Sequence, residues 1–320
     1  MRVIFMGTPD FAVPSLKALM ESGHEIVLTV TQPDRPKGRG GKVSMSAVKK
    51  EALLNGLTVF QPEKIRRPEN IEVLRQYDAD VIVVVAFGQI LPKEVLELPR
   101  CCCINVHGSL LPKYRGASPV QWTVLQGDTV GGVTTMRMDE GLDTGDIILQ
   151  REIPLDAQET AGSYFDKVSS AGAELLIETL QKVEDGTAVY RKQDEALATR
   201  TGMITKAMGR IDFSRPAGEI CCQIRGMDPW PSAYTFCRGK MLKIWRADAI
   251  SAREAEETAA ADPSGAEPGT IARVTKNELL IRAGDGTLLS VRELQAEGKK
   301  RMETAAFLRG FSLREGEKLG

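Results

Sequence analysis

The apolar and polar positions of the first 190 residues switch between two periods. Residues 2–6 form a short apolar run that ends at Gly7-Thr8-Pro9-Asp10. Residues 11–22 then carry apolar side chains at helical spacing, Phe11, Leu16, Leu19 and Met20, and a second apolar run follows at 26–31. This order predicts strand, helix, strand, with the right-handed parallel crossover such units adopt. Weaker patterns predict a helix over 46–55, a short strand near 57–60 and a helix near 70–76. The run Val81-Ile82-Val83-Val84-Val85-Ala86 is β-branched with no polar alternation, which marks a strand covered on both faces at the centre of a parallel sheet. A short helix over 92–98 leads to another strand over 102–106. Then come a helix over 119–126 and strands over 132–138 and 147–153, the latter joined by the glycine-rich acidic connection 139–146. The longest helical pattern spans 160–185, with Phe165, Val168, Leu175, Leu176 and Leu180 along it and Gly186 as its stop.

Beyond residue 190 the rhythm changes. Residues 191–208 are polar and irregular and read as a linker. A helix over 216–225 and five short strands, at 234–237, 241–248, 270–275, 278–282 and 288–293, predict a small β-barrel of OB type. Residues 251–269, rich in Ala, Glu, Asp, Pro and Gly, read as a flexible excursion between its strands. The expected fold class is α/β: a Rossmann-like, doubly wound, mostly parallel sheet domain over 1–190, a linker over 191–208, and a smaller OB-like β-barrel domain over 209–320.

At 320 residues and 42% apolar content the chain can bury two cores. No apolar run approaches the roughly eighteen residues a membrane span needs, and the start has no signal-peptide layout, so the expectation is a cytoplasmic protein without membrane partners. Nothing in the sequence demands a dimer, and a monomer is expected. The six cysteines fall as Cys101-Cys102-Cys103, Cys221-Cys222 and Cys237, with neither a CxxC pair nor a histidine at ligand spacing. That predicts reduced thiols and no metal. Net charge is −1, and the part beyond residue 200 carries 19 basic and 16 acidic residues, too small an excess to identify a nucleic-acid partner. The segment 32–42 is different. It holds Arg35, Lys37, Arg39 and Lys42 against the single acid Asp34, among two prolines and three glycines, and is expected to be an exposed, mobile loop.

Reactive side chains gather where the strand 102–106 ends. In open α/β sheets ligands sit beyond the carboxyl ends of strands, so Phe87-Gly88-Gln89 and Asn105-Val106-His107 should face one crevice. Asn105 and His107, two apart, point to the same side. The imidazole exchanges a proton near neutral pH, and the amide can donate to an oxygen that becomes negative in a tetrahedral transition state. A nearby aspartate could orient the ring. The logic fits acyl transfer, and because G-x-S-x-G is absent the nucleophile belongs to a substrate. Spacing alone favours a structural histidine and an asparagine serving a turn.

The stretch INVHGSLLPKYRGASPVQW from Ile104, followed by MDEGLDTGDII from Met138, resembles the folate-dependent formyltransferases. The likeness also takes in GTPDFAVPSL, TQPDRPKGRG, VVVAFGQILP, and later DPWPSAY, GTIARV and AEGKKRM, so it spans both predicted domains. It implies passage of a formyl group from 10-formyltetrahydrofolate, as co-substrate, to the α-amino group of methionyl-initiator tRNA. Asn105, His107 and Asp143 match the family's catalytic trio. Phe87, Gly88, Gln89, Ile90 and Leu91, with Ser109, Leu110, Leu111 and Pro112, match its folate-binding segments, although many members carry tyrosine where this chain has Phe87. The loop with Arg35, Lys37, Arg39 and Lys42 matches its tRNA acceptor-end insertion, Arg39 being the key arginine, and Lys299, Lys300 and Arg301 are a second candidate phosphate contact. Two readings stay open beside this one: a folate-dependent nucleotide-sugar N-formyltransferase, and a non-catalytic RNA-binding relative. A phosphoribosylglycinamide formyltransferase is the poorer fit, since no glycine-rich phosphate loop follows Met6.

Overall fold

The structure is a computed structural model that describes residues 1–37, 42–251, 254 and 267–320. It divides into two compact units, one made of Met1–Val120, Val130–Leu155 and Phe165–Gly202, the other of Gln121–Thr129, Asp156–Tyr164 and Met203–Gly320. The single boundary expected after residue 190 is therefore replaced by several chain crossings. Trp122 and Leu125 explain one of them, because they pack on the apolar cluster of the second unit.

The first unit is built on a seven-stranded sheet. Its strands are β1 (Arg2–Gly7), β2 (Glu25–Val30), β5 (Val59–Phe60), β6 (Val81–Val85), β7 (Cys102–His107), β9 (Val130–Arg137) and β10 (Ile147–Pro154), in the order β10-β9-β7-β6-β1-β2-β5. From β5 to β7 every neighbouring pair is parallel, while β9 runs antiparallel to β7 and β10 antiparallel to β9. Helix α1 (Val13–Glu21) carries the crossover from β1 to β2. The uniform β-branched run of β6 and all six residues of β7 are buried, as expected of central strands covered on both faces. The 24-residue helix Ala161–Glu184 buries Val168, Leu175, Leu176 and Leu180, which fall on one face of the helix.

Two local expectations change. Residues 35–37 and 42–44 form short strands, β3 (Arg35–Lys37) and β4 (Lys42–Ser44), which pair antiparallel. The segment expected as a loop thus has paired strands at its base, with Pro36, which has no N–H to donate, standing opposite Val43 in the register. The expected linker 191–208 is also not a plain tether. Residues 191–202 belong to the first unit, where β11 (Arg200–Thr201) pairs in parallel with β8 (Arg115–Gly116). Its bonds are backbone and side-chain polar ones, which leave no apolar period to read.

The second unit holds β12 (Ala233–Cys237), β13 (Lys240–Ile250), β14 (Ile271–Val274), β15 (Leu279–Arg282) and β16 (Leu288–Ala296), in the antiparallel order β12-β13-β16-β15-β14, with β17 (Met302–Glu303) on β16. Arg238 and Gly239, both at positive φ, make the two-residue turn between β12 and β13. Inward residues such as Leu242, Ile244, Leu279, Ile281 and Leu289 share one cluster with Ile220 and Ile224 of helix Ala217–Gly226. Residues 316–320 join the two edges of this sheet. Ile271 N donates to Glu317 O at 2.9 Å and Leu319 N to Gly269 O at 2.9 Å on the β14 side, and Gly320 N donates to Phe236 O at 3.0 Å on β12. Of the excursion expected over 251–269, residues 252–253 and 255–266 lie outside the described residues. Among the described residues no helix is long and apolar enough to cross a membrane.

Candidate active site

The carboxyl end of β7 puts two polar side chains into an almost dry place: Asn105 is 9% and His107 6% exposed. Buried polar groups need partners, and these come from two loops. From the 139–146 connection, Asp143 brings Oδ1 to 3.4 Å from the donating Nδ2 of Asn105 and Oδ2 to 3.6 Å from Nδ1 of His107. Period-two alternation thus sends both side chains to one carboxylate. From the loop after β7, the carbonyl of Tyr114 lies 2.9 Å from His107 Nε2. A carbonyl only accepts, so Nε2 carries the proton in this bond. The ring is held between a carboxylate on one side and a carbonyl on the other.

The two loops are also tied to each other. Gly116 N donates to Asp143 Oδ2 at 2.7 Å. Gly116 has φ of +103°, and a Cβ there would stand 2.6 Å from Thr201 O, so only glycine lets the chain approach so closely. Asp143 itself adopts φ of +56°, a left-handed conformation that aspartate tolerates better than most residues.

The segment 109–112 is anchored from beneath. The buried Thr134 hydroxyl donates to Ser109 O at 2.7 Å and accepts from Leu111 N at 3.1 Å and from Gln150 Nε2 at 3.1 Å. Ser109 donates its own hydroxyl to Lys113 O at 2.6 Å, and Leu111 is buried beside Met136 and Ile147. Leu110 and Pro112 are half-buried. In the other segment, Phe87 and Leu91 belong to the apolar core, whereas Ile90 is 78% exposed. The carbonyls of Phe87 and Gly88 accept from Gln32 Nε2 at 3.3 and 3.1 Å. Gln89 accepts from Ile65 N at 2.7 Å and donates to Pro62 O at 3.1 Å, so its side chain is taken up in fixing the loop.

Arg35 is exposed and bonded to Gln32 Oε1 at 3.2 Å, the backbones of Lys37 and Lys42 pair across β3 and β4, and Arg39 lies outside the described residues. In the second unit Lys299 and Lys300 are exposed. Arg301 is engaged instead: it pairs with Glu293, bonds Asp228 Oδ2 at 3.1 Å and lies 5.0 Å over the Trp245 ring.

Sequence reasoning missed four residues that shape the site: Tyr114, Arg115, Gly116 and Gln193. Arg115 is 1% exposed, with Nη1 and Nη2 donating to Glu195 Oε2 and Oε1 at 2.9 and 2.7 Å. The YRG triplet that follows SLLPK contained the signal, but an arginine beside a tyrosine in a loop looks like surface. The cysteines are free, and burial pushes the Cys102 and Cys103 thiols up and Cys221 up to about 12, which makes them poor nucleophiles. Among the described residues no group of three or more His, Cys, Asp or Glu is placed to hold a metal ion.

Comparison with known proteins supplies the family. Residues 1–180 match the formyl transferase model and residues 203–312 the formyl transferase C-terminal domain model. Methionyl-tRNA formyltransferase of Agathobacter rectalis is 54% identical over 99% of this chain and 98% of its own length. That of Geobacter sulfurreducens is 47% identical over 100% of this chain and 97% of its own. The chain belongs to the methionyl-tRNA formyltransferase family. Solved structures of more distant formyltransferases share the fold: the sugar 3N-formyl transferase WlaRD has a TM-score of 0.66 at 21% identity, covering 94% of this chain and 99% of that one. HypX from Aquifex aeolicus, solved with tetrahydrofolic acid, has a TM-score of 0.58 at 17% identity, covering 99% of this chain and 50% of that one. Within the formyltransferase family, then, this chain matches the models of both domains.

The Arg115–Glu195 pair sets a pH dependence. Its hydrogen bonds hold the Glu195 carboxyl below its ordinary value of 4.5, so the stabilisation is fully present above about pH 4.5 and is lost as pH falls through the lower folded-state value. The melting-temperature gap between wild type and Glu195→Gln is expected to be widest above pH 4.5 and to close on further acidification. A gap that stayed constant to pH 2 would remove the pair from the account.

Proposed function

We propose that this chain transfers the formyl group of 10-formyltetrahydrofolate to the α-amino group of methionyl-initiator tRNA, giving N-formylmethionyl-tRNA for translation initiation, with Asn105, His107 and Asp143 as the groups that act on the reacting atoms. The observation that carries this reading is the approach of one carboxylate, Asp143, to both Asn105 and His107 at a strand end, in a chain 54% identical over its whole length to a methionyl-tRNA formyltransferase.

The amine nitrogen of the methionyl ester forms a bond to the formyl carbon, and the formyl oxygen becomes an oxyanion. Asn105 donates an amide N–H to that oxygen, and His107 with both nitrogens protonated adds positive charge beside it. Asp143 balances the charge on the ring and keeps Nδ1 oriented. When the tetrahedral intermediate collapses, the bond from the formyl carbon to the folate nitrogen breaks. The free amine that attacked is an ammonium once bonded to the formyl carbon, and the proton it then loses goes to that folate nitrogen, relayed by His107 or by water held at Asp143. No side chain of this protein needs to become covalently attached.

For the folate, exposed Ile90 is suited to cover a ring face, and backbone groups of 87–91 to meet the pterin edge. The buried Phe87 and Leu91, the engaged Gln89, and the anchored Ser109 and Leu111 shape the pocket from behind. For tRNA, the segment 32–42 with Arg35, Lys37, Arg39 and Lys42 is the proposed acceptor-end contact, since clustered cations follow phosphates. Lys299 and Lys300 are a second proposed contact. Arg301, beside them in sequence, is held by Trp245 and Asp228.

Formylation of charged initiator tRNA by the wild-type chain is expected, with a nucleotide-sugar amine left unformylated. Asn105→Ala is expected to lower kcat by about 10²–10³-fold with the KM for 10-formyltetrahydrofolate little changed, and full activity of this variant would sink the assignment. Arg39→Ala with Lys42→Ala is expected to raise the KM for methionyl-tRNA by at least about tenfold while sparing folate binding, each lost phosphate contact weakening the complex. Equal effects on both substrates would refute the role of the segment.

A further inference from the structure

Both acceptors that hold His107 trace back to one segment. At one end of it Arg191 exchanges backbone hydrogen bonds with Ile147 at 2.8 and 2.9 Å. Gln193 then spends both amide hydrogens on the aspartate loop, donating Nε2 to Asp143 O and to Gly145 O, each at 2.8 Å. Its Oε1 accepts from Arg115 Nε at 3.0 Å, and Arg115 is fixed in turn by the bidentate Glu195. Six residues after Gln193, the Thr199 hydroxyl accepts from Tyr114 N at 2.8 Å and Thr199 O accepts from Arg115 N at 2.9 Å. Thr201 Oγ1 donates to Arg115 O at 3.2 Å and to Ala117 O at 2.9 Å.

Gln193 therefore sets the backbone of the residue whose carboxylate faces His107 Nδ1, and Thr199 sets the backbone of the residue whose carbonyl meets Nε2. This segment contributes little to a core. Residues 191, 192 and 194–197 are exposed, Leu197 among them, and Gln193 is only half-buried. Its contacts are directional hydrogen bonds to loop backbones. That is the design expected where geometry, rather than folding stability, is being secured.

We propose that residues 191–201 form a strap that positions the His107 imidazole, with Gln193 and Thr199 as positioning residues acting through Asp143 and Tyr114. The proposal rests on the reading that His107 and Asp143 act in formyl transfer, and it adds the device that holds them. A small displacement of either acceptor misdirects the ring, and misplacement by about 1 Å can reduce a rate roughly 10²-fold.

The test uses the full chain and two readouts. Gln193→Ala and Thr199→Val are expected to lower kcat for methionyl-tRNA formylation by about 10–100-fold, with KM for both substrates changed less than about twofold and melting temperature close to wild type. Thr199→Ser, which keeps the acceptor hydroxyl, restores kcat. The second readout needs no activity. The chain has only two histidines, His24 and His107, so the ring nitrogens of a ¹⁵N-histidine-labelled sample resolve both. The signals of His107 shift in Gln193→Ala and Thr199→Val while those of His24 stay in place. Unchanged His107 signals overturn the strap, as does a loss of kcat matched by an equal rise in both KM values or by a collapse in melting temperature. A wild-type chain that fails to formylate, yet whose His107 signals respond to Gln193→Ala, would sink the proposed reaction and leave the strap standing.

Discussion

A histidine at the end of a fully buried strand has two ring nitrogens to satisfy and few ways of doing so, and here that requirement organises the surroundings. Water is largely excluded, so each nitrogen needs a protein acceptor. Asp143 brings a carboxylate to within 3.6 Å of one from the 139–146 loop, and the Tyr114 carbonyl accepts from the other at 2.9 Å from the loop after β7. The loop after β7 is fixed near its start by buried Leu111 and by Thr134, but the positions of Tyr114 and Asp143 depend on polar bonds. The Gly116 to Asp143 bond links them, and the segment 191–201 bonds to both. Asn105 shares in the arrangement because strand geometry leaves it no other side on which to point.

Much of this was legible in the sequence where burial imposes a period. The β-branched run of residues 81–85, the strand ending at His107, the long helix over 161–184 and the five short strands of the second unit all stand within a few residues of their expected places. The pairing of Asn105 with His107 on one side followed from a period of two and is seen in their common approach to Asp143. The likeness to the formyltransferases named the same residues from motif alone.

What escaped the sequence has a common physical cause. Gln193, Thr199 and Arg115 act through hydrogen bonds to backbone atoms of loops distant in sequence, and such bonds impose neither period nor composition. Residues 191–208 therefore read as an irregular tether. Arg115 drew no reading of its own, because nothing near it in sequence announces Glu195, some eighty residues on. Two of the expected contact residues have partners within the chain that the sequence did not announce: Gln89 bonds Pro62 and Ile65, and Arg301 bonds Asp228, pairs with Glu293 and lies over Trp245. The chain crossings at 121–129 and 156–164 were hidden for a related reason, since a helix that packs on the second unit's cluster through Trp122 and Leu125 has the same period as one that packs on the first.

The central claim is that one carboxylate, held between Asn105 and His107, makes the strand end competent for formyl transfer. The most direct measurement is the single-turnover rate of formyl transfer by Asp143→Asn with both substrates saturating. The substitution keeps the size of the side chain but removes its charge and turns one of its two accepting oxygens into a donor. The account predicts a fall of about 10²–10⁴-fold, the range associated with losing an acid–base group or its charged partner, with a folded protein that still binds folate. A rate equal to that of the wild type would contradict it.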